Sequence, residues 1–344
     1  MGLTNLVRLS IVLTFVVIML GAYTRLADAG LGCPDWPGCY GHLSVPNESH
    51  EIALAKSLYP SLTVEAHKAW LEMIHRYFAG TLGLVVFAIT FLCLKSRVVS
   101  FGLPVALSLV IVFQALLGMW TVTMKLMPIV VMGHLLGGFT MFSLLCLLYW
   151  KLRDKQQPAE TAVTESAGLK VLAMITLILL MFQIALGGWT SSNYAALMCT
   201  SLPICQGNWV EYLDFKTAFQ LLQPHSESYE FGTLDYGARM TIHVTHRIGA
   251  VLVTLFSLVL IYRLMSQSNT GLSKAGRQVG VLLVIQLMLG VSNVLFSLPL
   301  VIAVAHNLGA ALLFVSVLQV NYLLLKRSNK VVASSGLVSE ESAR

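Results

Sequence analysis

The chain has 344 residues, 56% of them apolar and only 11% charged, less than half the charged share of a typical soluble domain, which excludes an ordinary water-soluble globule. Its net charge of +6 does not point to nucleic acid, because the lysines and arginines lie in short segments between apolar runs instead of clustering on one exposed face. The chain reads as a polytopic membrane protein whose basic residues set its orientation in a lipid bilayer.

Apolar runs long enough to cross about 30 Å of hydrocarbon, roughly 20 residues each, are expected at 6–25, 69–94, 101–122, 129–150, 170–190, 239–264, 278–298 and 299–325. The first run, with Arg8 before it and Ala27-Asp28-Ala29 after it, also imitates a secretory signal peptide, but it reappears in mid-chain as an internal segment and is read as a retained helix. The last two runs divide at Leu298-Pro299, since proline is tolerated in the first turn of a helix. Lysines and arginines from Arg8 through Lys95, Arg97, Lys151, Arg153, Arg263 and Lys326 then fall on one side, which makes both termini cytoplasmic. The long loops 26–68 and 191–238, rich in Asp and Glu, fall on the other side. No Arg- and Ser-rich transit segment precedes the first run, so a bacterial inner membrane is expected rather than a mitochondrial one.

The sequence repeats itself. Leu20-Gly21-Ala22-Tyr23-Thr24 matches Leu186-Gly187-Gly188-Trp189-Thr190, and Cys33 and Cys39 match Cys199 and Cys205, at an offset of 166. His75-Arg76 matches His246-Arg247 at 171, and Gln114, Gly118 and His134 match Gln286, Gly290 and His306 at 172. The expected fold is therefore all-α, with eight transmembrane helices as two tandem four-helix bundles. An even number of spans per unit gives the halves the same orientation, related by a pseudo-two-fold along the membrane normal. Residues 1–150 form the first half, 151–169 a polar cytoplasmic linker, 170–327 the second half and 328–344 a disordered cytoplasmic tail. Leu20-Gly21, Leu117-Gly118, Leu186-Gly187 and Leu289-Gly290 are read as close helix packing in preference to cofactor contact. Gln114, Gln183 and Gln286, each four residues before such a glycine, are expected to form interhelical hydrogen bonds.

Four of the nine histidines stand out. His75, His134, His246 and His306 each fall about seven residues into a helix running inward, about 10 Å below the outer surface at 1.5 Å per residue. A lone buried histidine is usually a hydrogen-bonded core residue; four at one depth, two per half, point to metal or heme. Zinc would require a tetrahedral nitrogen and sulfur set, and Cys93 and Cys146 lie near the cytoplasmic side as packing residues. A histidine from each of two facing helices suits an iron porphyrin edge-on in a bundle, with Gly133, Gly137, Gly138, Gly309 and Ala310 making room for the macrocycle.

The halves differ where the first has Glu72 and the second His243, each three residues before a histidine. An ionisable side chain at membrane depth is a functional candidate by default, and a carboxyl at a heme edge can accept a proton or stabilise a cationic intermediate. The plainer alternatives are a salt bridge to Arg76 or a group that holds an imidazole. His243 is read as a polar supporting residue, with an alternative role as a ligand. Arg76 and Arg247 are candidates for heme propionates, which arginine binds bidentately, or else helix-end anchors. Position outside the membrane and even number favour local disulfides Cys33–Cys39 and Cys199–Cys205, either structural lids or redox-active pairs. His42, His50, His67 and His225 are loop residues.

These features together resemble the heme A synthase family of bacterial type, eight-span membrane enzymes that convert heme O to heme A. The resemblance covers about residues 1–325 and rests on Glu72-x-x-His75-Arg76, Gly133-His134, His246-Arg247, His306-Asn307 and the paired outer-loop cysteines. It implies heme O as substrate between His75 and His134, with Glu72 essential while the C8 methyl is oxidised to a formyl by successive hydroxylations. It also implies a permanent heme b held by His246 and His306, and a functional role for Cys33 and Cys39. Heme O synthase, the machinery of terminal oxidase assembly and an unidentified electron acceptor are the implied partners; monomer and homo-oligomer are equally compatible with the sequence. Two other classes compete: a non-enzymatic diheme electron carrier similar to cytochrome b, which has no need of Glu72, and a colourless repeat-built transporter with a histidine proton relay.

Overall fold

The computed structural model describes residues 2–156 and 166–341, with side chains as far as Lys326. Most of the expected linker, 157–165, lies outside the described residues. The described residues contain eight helices long and apolar enough to span a membrane: α1 (Leu3–Leu26), α3 (Ala66–Ser96), α4 (Gly102–Thr123), α5 (Pro128–Asp154), α6 (Ala167–Ser192), α8 (Tyr236–Met265), α9 (Thr270–Leu295) and α10 (Leu300–Glu341). Two short helices, α2 (Ser49–Leu58) and α7 (Phe215–Ala218), lie in the long loops.

Helix ends depart from the hydropathy reading because caps, rather than charge, decide where a helix begins. Asn269 accepts N–H bonds from Gly271 and Leu272 and starts α9 at Thr270, well ahead of the expected 278. Asp235 accepts from Ala238 N–H and starts α8 at Tyr236. Pro128 occupies the first turn of α5, where its missing N–H costs nothing. The break near Leu298-Pro299 is a tight turn with Ser297 and Leu298 in the left-handed region, at φ 56° and 62°. The equivalent α4–α5 turn uses Lys125 and Leu126 in the same way, at 50° and 62°. Where a disordered tail is expected from 328, the α10 backbone continues to Glu341; residues 342–344 lie outside the described residues.

In the first half α1 packs on α3 and α5, α3 on α4, and α4 on α5; in the second, α6 packs on α8 and α10, α8 on α9, and α9 on α10. The halves meet where α5 and α1 touch α6 and α10. Buried aliphatic side chains such as Val86, Ile89, Leu107 and Leu145 fill one end of the first half. A larger cluster around Leu180, Leu260, Leu313 and Val317 extends across to Phe139 and Phe142. At this end Tyr322 donates to Asp154 Oδ2 and Lys326 pairs with Asp154 Oδ1 at 2.7 Å, clamping α10 to α5. The first loop has its own small core, in which Cys33, Cys39, Tyr40, Val45 and Ala55 pack on Ala69 and Met73 of α3.

Candidate functional site

A cavity of about 1640 Å³ runs between the two halves and is lined by all four histidines of the repeat, His75, His134, His246 and His306. That exceeds the roughly 300–1,000 Å³ of an ordinary small-molecule pocket. The rings of His75 on α3 and His134 on α5 lie 6.4 Å apart between centroids, at 87° to one another. Two metal–imidazole bonds of about 2 Å each, plus about 1 Å from each ring nitrogen to its centroid, come to roughly 6 Å. The pair is spaced for one metal ion between its rings. In both rings the nitrogen that is buried without a partner is Nδ1, which leaves Nε2 to meet the cavity. Among the described residues no three His, Cys, Asp or Glu side chains gather as a metal cage, and the donors this part of the cavity offers are the two imidazoles.

The helices facing these histidines contribute glycines at the point of contact. A Cβ built on Gly21 would lie 2.8 Å from Cε1 of His75; on Gly187, 3.1 Å from that of His246; on Gly290, 3.1 Å from that of His306; on Gly118, 3.5 Å from that of His134. The glycines of the repeated Leu-Gly pairs, read from sequence as packing residues alone, are the backstops of the four rings and line the cavity. Gly290→Val should push His306 off its position and remove one heme contribution from the absorption spectrum of the purified protein, since overpacking a tight contact displaces its neighbour.

Gly133, Gly137 and Gly309, expected to make room for a macrocycle, face other side chains instead. A Cβ on Gly137 or Gly309 would collide with the amide of Gln114 or Gln286, and Gly133 faces Leu117. Of that set only Gly138 and Ala310 line the cavity. The interhelical role expected of the glutamines holds for Gln183 and Gln286, whose Nε2 groups donate to the backbone carbonyls of His246 and His306 at 2.8 and 3.0 Å.

Glu72 is buried at the cavity wall, with 5% of its surface exposed. Its Oε2 accepts the Cys33 N–H at 2.9 Å and its Oε1 pairs with Arg76. Arg76 in turn donates to the carbonyls of Asp35, Pro37 and Gly38, so the carboxylate and the guanidinium together grip the Cys33–Cys39 loop. His243 takes the same position in the second half. Its Nδ1 faces the Cys199 N–H at 3.3 Å and its Nε2 faces Arg247 Nε at 3.2 Å, while Arg247 holds the carbonyls of Cys199 and Ser201. A carboxylate satisfies both donors, whereas a neutral imidazole accepts at only one nitrogen. His243 thus turns Nδ1 to the loop and Nε2 to Arg247.

Both cysteine pairs form disulfides, Cys33–Cys39 and Cys199–Cys205. Each closes a short loop directly over its half's Glu72 or His243. Replacing Cys33 and Cys39 together by serine should lower stability by about 2 kcal/mol, the small value expected of a short loop, and a thermal melt of the purified protein reads it.

Arg76 and Arg247 line the cavity and also hold loop carbonyls, and the structure brings in an arginine the sequence reading passed over. Arg25, at the end of α1, lines the cavity. It donates to Tyr194 Oη at 2.7 Å and to the Ser191 carbonyl at 3.1 Å, stacks 4.2 Å from the Tyr194 ring centroid, and keeps Nε buried without a partner. Burial raises the Tyr194 phenol above its ordinary pKa, against the opposing pull of Arg25. No repeat pointed to Arg25, because its counterpart at the 166 offset is Ser191. His42, His50, His67 and His225 lie outside the cavity lining.

Comparison with known proteins adds an independent line. Residues 4–318 match the family model COX15-CtaA, described as cytochrome oxidase assembly protein. A protein named heme A synthase from Shewanella oneidensis is 55% identical over 329 residues, covering 96% of this chain and 98% of that protein. Proteins of the same name from Nitrosospira multiformis and Agrobacterium fabrum are 26% and 28% identical, covering 92% and 87% of this chain and 91% and 83% of their own length.

Proposed function

The chain belongs to the COX15-CtaA family of cytochrome oxidase assembly proteins, and from that premise we propose that it is a heme A synthase, an enzyme that oxidises the C8 methyl of heme O to a formyl by successive hydroxylations. The observation that carries this reading is the His75–His134 pair, set at metal-bridging spacing in the cavity that Glu72 also lines. Heme O is the substrate between those two rings. His246 and His306 hold a heme b as resident cofactor, and the fit rests on two imidazoles facing one cavity with glycines behind both rings. When bound, that cofactor supplies one-electron transfer.

The chain's own residues orient and insulate. Glu72 holds or accepts a proton at the substrate's edge, and Arg76 keeps its carboxylate in place through Oε1. The disulfide-closed loops cover the cavity and limit water. The two tandem bundles then divide the work, residues 1–150 taking substrate and 170–327 the cofactor. The proposed setting is a bacterial inner membrane with cytoplasmic termini, heme O synthase as supplier, terminal oxidase assembly as consumer and a separate electron acceptor.

Co-expression with heme O synthase, followed by extraction and chromatographic separation of the hemes, tests the reading. Heme A should appear only when both proteins are present. Heme B alone in every condition would leave the non-enzymatic electron carrier as the better account, and a colourless protein would exclude both.

A further inference from the structure

In each half the cavity is walled by a seam between two helices, α3 against α4 in the first and α8 against α9 in the second. The repeat allows the seams to be compared position by position. The first carries Gly80, Gly83 and Ala115 where the second carries Val251, Thr254 and Leu287, at the offsets of 171 and 172 that align the histidines, and all six line the cavity. The first-half residue is the smaller in every pair. A Cβ added to Gly80 would meet nothing within 4 Å, and one added to Gly83 only Cγ1 of Ile111 at 3.9 Å. On α3 the cavity lining continues inward to Phe87, twelve residues past His75 and about 18 Å along the helix. On α8 it stops at Thr254, eight residues past His246 and about 12 Å along.

The seams differ in a polar group as well. Gln286 donates Nε2 to the His306 carbonyl at 3.0 Å. Gln114, at the equivalent position beside Ala115, is 8% exposed, lines the cavity and keeps Nε2 buried without a partner. A buried amide donor without an acceptor is costly, and a ligand oxygen that reaches it removes that cost.

We propose that the α3–α4 seam is the slot for the prenyl tail of the substrate, with Gly80, Gly83 and Ala115 leaving room for its hydrocarbon and Gln114 donating to the hydroxyl at its root. The proposal rests on the reading of His75 and His134 as the heme O site and of His246 and His306 as the heme b site. Heme O carries a hydroxyethylfarnesyl chain where heme b carries a vinyl group, so the half that takes heme O needs apolar space beyond the ring and the other half does not. Burying such a chain is favourable in proportion to the apolar area it withdraws from water. Phe87 and Leu116, which line the cavity along this seam, are 47% and 40% exposed, so the slot opens sideways and a prenyl chain enters it from lipid.

The test titrates heme O and tail-less heme B into purified protein in detergent, after exchangeable heme has been removed with apomyoglobin, and follows the absorption change that His75→Ala abolishes. The unaltered protein should bind heme O at least about 10-fold more tightly than heme B, the worth of about two buried methylene groups. Gly80→Val combined with Ala115→Leu, which installs the β-branched and larger residues of the second half, should remove that preference by weakening heme O and leaving heme B unchanged. The space beside Gly80 is empty, so the variant should fold, and a thermal melt equal to that of the unaltered protein checks it. Gln114→Leu should weaken heme O by about 2–10-fold, the net worth of one hydrogen bond, without lowering the melt, since the donor it removes has no partner in the chain. No preference for heme O in the unaltered protein, or a preference that survives Gly80→Val with Ala115→Leu, would overturn the slot; unchanged heme O affinity in Gln114→Leu would overturn the part given to the glutamine. Absence of any His75-dependent binding of either heme would instead sink the underlying assignment, and the proposal with it.

Discussion

His306→Ala is expected to empty the C-terminal site while leaving the N-terminal site loaded, and His75→Ala to do the reverse. A heme held edge-on in a helix bundle depends on its axial imidazoles, and even partners one step removed from a metal are worth about 10–100-fold in affinity, so losing the ligand itself should cost at least the upper end of that range. Each ring is also backed by a glycine on the facing helix, Gly290 for His306 and Gly21 for His75, so truncation leaves a void that no neighbouring side chain fills. Both variants should stop heme A formation for different reasons: one has no place for substrate, the other no exit for electrons. Hemes extracted from each purified variant separate the cases, heme b being lost only from His306→Ala and heme O or heme A only from His75→Ala. Loss of the same heme from both would mean that the cavity does not divide as proposed.

Glu72→Gln should lower the rate of heme A accumulation by about 10²–10⁴-fold, the usual contribution of a positioned acid or base. The competing explanation is mechanical, since Glu72 also clamps the Cys33–Cys39 loop through Cys33 N–H and Arg76. The second half supplies a built-in control for that explanation. His243 faces the equivalent N–H and the equivalent arginine with a group that, when neutral, accepts only one of them, and the Cys199–Cys205 loop is still held, with Arg247 on its carbonyls. A neutral glutamine with one accepting oxygen should therefore keep the loop in place. Accumulation of heme A in membranes reads the chemistry, while thiol labelling and the heme b spectrum, both expected to be unchanged, read the loop and the fold.

The amphipathic bookkeeping of a membrane chain made much of this legible in advance. Spans follow from apolar length, and the repeat exposes His75, His134, His246 and His306 because substitution elsewhere leaves them aligned at fixed offsets. What the sequence hid is what depends on contact between helices. The Leu-Gly glycines look like generic small residues until the facing ring is in place, and Gly137 and Gly309 make room for glutamine amides rather than for a macrocycle. The carbonyls of Asp35, Pro37 and Gly38 that engage Arg76 are backbone groups, which leave no mark in residue type. Arg25 joins the halves through Tyr194 and Ser191, a pairing invisible to a search for repeats because only one half has it.

On the proposed function, this chain oxidises heme O beside Glu72 while a separate heme b stays bound. The most direct test is to co-express the unaltered protein and Glu72→Gln separately with heme O synthase, purify both, and separate the hemes each retains. Heme b should be equal in the two, with heme A only in the unaltered protein and heme O held unconverted by the variant. Heme A at the same level in both would contradict it.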